Sequence, residues 1–394
     1  MLKEITSLTR INLLGAKRRW PSSLVAILGI AFVVSVFVST LALVNGYKKS
    51  MSSAASDETI IILRDGANSE VSSSLSSEQI EILSNTSIVK RDATGQPLVS
   101  PEFYVVVNIP GDKPEEISSL PLRGVGKNAV SVRDNFKLVK GRFFEQGKRE
   151  IIVGRSSYEK FSGLKIGDAL KLDGNSWKIV GVFESKRSVL ESEMWSDVHT
   201  LQQEYNRSNY YQSLRAKLNS SSDINALKEY IQQDPRLKVK VESEKDYLEK
   251  QSKGLSMFIN TIGYPIVILM AIGSAFGAIN TMYSSVDAKK HEIATIRAMG
   301  FLPFSIVVSI LIESLVLALI GGLVGASIII VTLGGYSVST LSGSTLSQVV
   351  FDFDVSPEIF LTGLICAVVI GMISGLFPAL KAVRVNVAVA LKRA

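Results

Sequence analysis

Apolar residues are not spread evenly along this chain. They gather in four long blocks, at 24–46, 254–286, 301–333 and 359–380, with ordinary polar texture between them. The second block carries no charge from Gly254 to Val286, and the third carries only Glu313. Crossing the hydrocarbon of a bilayer takes about 20 apolar residues in a helix, so each block is long enough to span. The second and third exceed that need by about ten residues, which predicts tilt or protrusion. The uncharged core of the first block is longer than a signal peptide's, and no small-residue cleavage site follows it. It reads as a retained span.

The 47–250 segment has a different pattern. "TIIIL" (59–63) and "FYVVVNI" (103–109) are β-branched and aromatic runs that predict strands. "LSSEQIEILSN" (75–85) has near-helical apolar spacing and predicts a short helix. In "ALKLDGNSWKIVGVFE" (169–184), Asp173-Gly174 suits a tight hairpin turn, with Leu170 and Leu172 alternating on one side and Trp177 and Ile179 on the other. "INALKEYIQQ" (224–233) places Ile224, Leu227 and Ile231 on one helix face. A charged helix over 244–258 is expected to run into the second span as a stalk. The expected fold is therefore an α-helical membrane protein with four transmembrane helices in one-plus-three order. A large mixed α/β extracytoplasmic domain lies between the first and second helices.

Charge sets the expected orientation. Lys3, Arg10, Lys17, Arg18 and Arg19 precede the first span, and Lys381, Arg384, Lys392 and Arg393 follow the fourth. The 334–358 segment, read as a short loop, has no Lys or Arg. By the positive-inside rule the amphipathic 1–23 segment, the 287–300 turn and the 381–394 tail are cytoplasmic. The 47–250 domain and the 334–358 loop are then outside. The net charge of +7 arises mostly from the membrane part, so it predicts contact with anionic lipid headgroups and not with nucleic acid.

Candidate chemistry is sparse. Cys366 is the one cysteine, so no internal disulfide forms and the 47–250 domain must rest on its own core. His199 is the one histidine of that domain, which gives no support for a metal cluster or a histidine-dependent triad. "GVGKNA" (124–129) lacks the spacing of a phosphate-binding loop and reads as a connection between strands. Three spans carry Gly-x-x-x-Gly, as Gly273/Gly277, Gly321/Gly325 and Gly371/Gly375, which predicts close helix packing within the chain or between copies. Glu313 must face protein or water, at a gate, at a subunit seam or bonded to a neighbouring helix. No second charged residue falls inside the blocks, so a proton relay through the chain is not expected.

Between the second and third blocks lies "DAKKHEIATIRAMG" (287–300), a short charged stretch. As a helix it puts Ile293, Ile296, Met299 and Gly300 on one stripe. "KKHEIATIRAMGF" (289–301), followed by "IESLVLALIGGLVG" (312–325), resembles the cytoplasmic loop and third span of MacB/FtsX-like ABC transporter permeases. Residues 122–184, including Gly-Arg-Phe-Phe at 141–144, resemble the periplasmic core domain of the MacB type. "SGLFPALKAVRVNVAVAL" (374–391) resembles the family's C-terminal end, with Asn386-Val387 where Asp-Pro is usual.

The resemblance implies that 287–300 is a coupling helix docked on an ATPase, with Lys289, Glu292, Ile293, Ile296, Arg297, Ala298, Met299 and Gly300 in contact. No Walker A motif is present, so the resemblance implies that ATP and magnesium are bound by a separate ABC ATPase subunit. This chain itself is then non-catalytic and needs no cofactor. A second permease copy or a paralogue, a periplasmic adaptor (membrane-fusion) protein and an outer-membrane channel are the other implied partners. The resemblance also implies a bacterial inner membrane with the 47–250 domain and the 334–358 loop in the periplasm, and the function of a mechanotransmitting permease subunit for export. Lipoprotein release and scaffolding of a cell-wall hydrolase are the other roles within the family.

Overall fold

A computed structural model describes residues 6, 8–9, 20–110, 117–342, 345 and 347–384. Most of the expected N-terminal segment, and the tail beyond Arg384 with Asn386-Val387, lie outside the described residues. The elements, in chain order, begin with α1 (Trp20–Ala54), β1 (Thr59–Arg64), β2 (Leu75–Ser76), α2 (Ser77–Ser84), β3 (Val99–Pro110), β4 (Ile117–Val125) and α3 (Ala129–Val132). Next come β5 (Lys137–Gly141), β6 (Glu150–Gly154), α4 (Arg155–Lys160), β7 (Ala169–Leu172), β8 (Asn175–Glu184), β9 (Met194–Asp197) and α5 (Val198–Glu204). These are followed by β10 (Tyr210–Tyr211), β11 (Ser213–Lys217), α6 (Ile224–Gln233), β12 (Val239–Ser243) and α7 (Glu244–Ala288). Last are α8 (Lys290–Ala298), α9 (Pro303–Leu333), β13 (Ser337–Leu341), β14 (Gln348–Asp352) and α10 (Pro357–Val383). The chain sorts into two compact units, one helical and one α/β.

The helical unit holds α1 up to Asn45, α7 from Phe258, and α8, α9 and α10. Helices α1, α7, α9 and α10 are each long and apolar enough to cross a membrane. Lipid offers backbone groups no hydrogen-bond partner, so an apolar chain there closes its bonds within a helix. Ile30, Val34 and Val38 of α1 pack with Ala318 and Ala326 of α9 and with Ala367 and Ile370 of α10. Small residues set how closely these backbones approach. A Cβ added at Gly321 or Gly325 would strike the backbone of α1 at Ile27 or Ala31, and one at Gly371 or Gly375 would strike Ala318 or Ser314 of α9. The Ser314 hydroxyl donates to the Gly371 carbonyl at 3.0 Å across that seam. The Gly273/Gly277 pair differs, because a Cβ at either position meets nothing within 4 Å.

The α/β unit comprises 46–257 together with 337–352. Its main sheet runs β12-β1-β11-β3-β4-β9-β6-β8-β5, with β7 added to β8. Pairing is antiparallel except for β4 with β9 and β6 with β8. The β7–β8 hairpin turns through Asp173 and Gly174, at φ 45° and 87°, the two positive-φ positions of a tight turn that Asp-Gly supplies readily. Helix α2 starts on a capping box: Ser76 accepts from the Gln79 amide while the Gln79 side chain accepts from the Ser76 amide, which satisfies two otherwise orphaned donors. Ile60, Ile62, Phe103, Leu122 and Leu214 fill one side of the sheet, with Leu227 and Ile231 of α6 in the same core.

The 334–358 segment is not the simple loop expected. Within it β13 and β14 pair as an antiparallel hairpin, which belongs to the α/β unit. Ser192 holds it at both polar groups of Val350: its hydroxyl donates to the Val350 carbonyl at 3.2 Å and accepts from the Val350 amide at 2.9 Å. Tyr47 meets Phe351 edge-on at 5.3 Å between ring centroids, and Arg187 pairs with Asp352 at 2.5 Å. The alternation Val338, Thr340 and Val349, Phe351 is a strand pattern that the shortness of the segment concealed.

Candidate functional site

The 287–300 stretch breaks from α7 at Lys289 and restarts as α8. Lys289 is buried, and its ammonium donates to the two Glu313 carboxylate oxygens at 2.9 and 3.1 Å. The two residues lie 24 positions apart, on either side of a span boundary. The ion pair answers the question of what Glu313 faces. It also turns Lys289, expected among the ATPase contacts, inward, and gives Glu313 a charged partner from outside the apolar blocks. Burying a carboxylate alone would be costly, and the lysine supplies its counter-charge.

The rest of α8 is pinned on its inner side. Ile293 is buried and Ile296 packs against the same cluster, with Met282, Val286, Ile306, Ile310 and Ala379. Arg297 donates to the Val383 carbonyl at the end of α10 at 2.9 Å, where a cation suits the negative end of the helix dipole. Gly300 has φ 91°, a left-handed turn that ends the helix and that a side chain would strain. The single stripe expected of Ile293, Ile296, Met299 and Gly300 does not form. Ile293 points inward, whereas Met299 is 65% exposed. The outward face consists of His291, Glu292, Thr295, Ala298 and Met299. The cavity beside the ion pair holds about 20 Å³, far below the roughly 300 Å³ of a small-molecule pocket. It is not a cargo site.

A second charged constellation, absent from the sequence reading, lies in the α/β unit. Strand residues alternate between faces, so the strands that send Phe103, Leu122 and Leu214 into the core send Glu102, Arg123 and Arg215 to the other side. That side is also buried. All five N–H groups of Arg123 are used: Nε and Nη2 bond Glu193 at 2.7 and 2.6 Å, Nη1 and Nη2 bond Glu70 at 2.6 and 3.0 Å, and Nη1 bonds Glu102 at 2.8 Å. Arg133 bonds Glu102 at 2.7 Å. Arg215 bonds Glu70 and Glu102, and its Nε bonds Glu244, the first residue of α7, at 2.9 Å. The aromatic rings of Tyr104 and Trp195 lie under Arg123 and Arg133 at 4.8 and 4.7 Å.

Burial by itself would raise the Glu102 carboxyl, but the Arg133, Arg215 and Arg123 guanidiniums more than reverse this and hold it at about 2. Glu70 is likewise held well below the carboxylate range, burial opposing and Arg123 and Arg215 prevailing. No cluster of His, Cys, Asp and Glu suited to a metal occurs among the described residues.

Two family models match this chain. Residues 23–234 match the MacB-like periplasmic core domain, and residues 264–387 match the FtsX-like permease C-terminal domain. The two together define a membrane permease whose first two spans flank a MacB-type domain. The chain belongs to the MacB/FtsX-like family of ABC transporter permeases. It is 24% identical over 93% of its length to the macrolide export ATP-binding/permease protein MacB of Bdellovibrio bacteriovorus, of which it covers 58%. It is 26% identical over 71% of its length to the ABC transporter permease YknZ of Bacillus subtilis, of which it covers 71%. The chain thus spans about half the length of the curated MacB relatives it matches. The periplasmic region of MacB from Actinobacillus actinomycetemcomitans aligns with 50% of this chain and 94% of its own, at 15% identity and a TM-score of 0.38.

Proposed function

We propose that this chain is the membrane subunit of an export-type ABC transporter and acts as a mechanotransmitter. A separate ABC ATPase binds ATP and magnesium and docks on the outward face of α8. The charge bias of the sequence puts that face, with both termini, in the cytoplasm. An ABC transporter has two nucleotide sites, so the working unit contains two permease copies, this chain twice or with a paralogue. Closure of the ATPases displaces α8, the displacement passes into α7 and α9, and the α/β domain changes shape on the far side. An adaptor protein and an outer duct carry the cargo onward, as the export role named for the MacB relatives suggests.

The observation that carries the reading is the two-sidedness of α8. Its inner side is pinned by Lys289, Ile293 and Arg297. Its outer side leaves Glu292, Thr295 and Met299 open. A helix built this way passes on a push and does not absorb it. The test is photo-crosslinking in the native host membrane, with a benzophenone amino acid at Thr295 or Met299 and at buried Ile293 as control. Capture of an ATPase with a Walker A motif from the outer positions is the expected result. Capture of none from either outer position removes the docking assignment.

A further inference from the structure

Four carboxylates face three guanidiniums in the buried layer of the α/β unit. Removal of any one carboxylate leaves three of each, and Glu244, which opens α7, is the one held most lightly. It takes one bond from one guanidinium, whereas Glu193 takes two from Arg123, Glu70 bridges Arg123 and Arg215, and Glu102 meets all three. Arg215 Nε ties Glu244 to the layer, while the two Nη atoms of Arg215 bond Glu70 and Glu102 independently. The next contact along the helix is a neutral hydrogen bond: the Tyr247 hydroxyl accepts from the Glu70 amide at 3.2 Å.

Withdrawing a guanidinium leaves carboxylates in excess, withdrawing Glu102 takes the carboxylate from Arg133, and withdrawing Glu70 or Glu193 breaks two or more charged bonds, each of which is costly. Withdrawing Glu244 breaks one. The remaining layer is neutral, each guanidinium keeps a carboxylate, and the departing carboxylate regains hydration.

We propose that Glu244 is a positioning residue, a releasable latch that seats the root of α7 on the sheet. With the latch seated, the first turns of α7 are fixed to β11. With it released, they move while β3, β4 and β11 keep their packing. What pulls the latch rests on the transmission reading above; the latch itself does not.

Hydrogen exchange on the full chain in lipid nanodiscs tests it. The amides of 249–253 are the useful reporters, because the first four N–H groups of a helix have no intrahelical bond. Glu244→Gln should speed exchange at 249–253 about tenfold or more and leave β3, β4 and β11 unchanged. Glu244→Asp keeps the charge and should stay close to the unsubstituted chain. Glu70→Gln weakens the bridge between Arg123 of β4 and Arg215 of β11 and should speed the three strands as well. The latch is overturned if Glu244→Gln leaves 249–253 unchanged, or if it loosens the strands as much as Glu70→Gln does. Because no ATPase takes part, failure here leaves the docking assignment standing, and failure of the crosslinking leaves the latch standing.

Discussion

Lys289 and Glu313 form one buried ion pair between the start of α8 and the middle of the third spanning helix. Each is the other's reason for being buried. Removing one partner leaves an uncompensated charge, so Lys289→Gln or Glu313→Gln should cost about 3–5 kcal/mol. Replacing both with apolar residues of similar volume should cost much less. Thermal unfolding of the detergent-solubilised chain measures this, and two single losses that simply add in the double variant would rule out the pairing.

The glycine seams make a graded prediction. Gly325→Ala and Gly375→Ala push a methyl group into α1 and into Ser314, and overpacking of this kind costs about 1–3 kcal/mol. Gly277→Ala meets open space and should be neutral or slightly stabilising, since alanine is the better helix former. If Gly277→Ala instead dissociates a purified dimer without unfolding it, that face is the seam between copies.

The acidic side of the stability profile follows from Glu102 and Glu70. Both titrate lower in the folded protein than the ordinary 4.5. Their contribution to stability is therefore complete above about pH 4.5 and is lost as pH falls toward about 2. Trp177 and Trp195 are fully buried in this unit, and their fluorescence on acid titration of the full chain reports the loss. A profile that stays flat down to pH 2 would contradict the buried network.

Ser192 offers a local probe of the β13–β14 hairpin. Ser192→Ala strands both the amide and the carbonyl of Val350, a loss of about 1–3 kcal/mol. Faster hydrogen exchange confined to 348–352 is the expected signature, and an unchanged rate there would show that the hairpin is held by other contacts.

The spanning helices were plain in the sequence because a membrane demands some 20 apolar residues in a row, and few other structures do. The Asp173-Gly174 turn and α6 were plain for a similar reason, since each declares itself within ten or so residues of local pattern. The ion network was not. Glu102, Arg123 and Arg215 alternate with apolar neighbours, and that alternation ordinarily marks a strand with one wet face. Only tertiary structure reveals that α7 and Glu70 cover the face. The Lys289–Glu313 pair was hidden differently, because one partner was assigned to a loop and the other to a span. The outward face of α8 was misjudged for the same cause: helical periodicity defines faces but not which of them is covered.

The α/β unit is discontinuous in sequence: 46–257 contributes most of it, and 337–352 the remainder. A soluble fragment cut at the first two spans would lack the strand pair that satisfies Ser192 and covers Tyr47. It would expose sticky, half-finished surface and invite self-association. A faithful excised domain needs the 337–352 hairpin grafted back through a flexible linker. Any binding measured on the shorter fragment should be repeated on the grafted one before it is credited to the native surface.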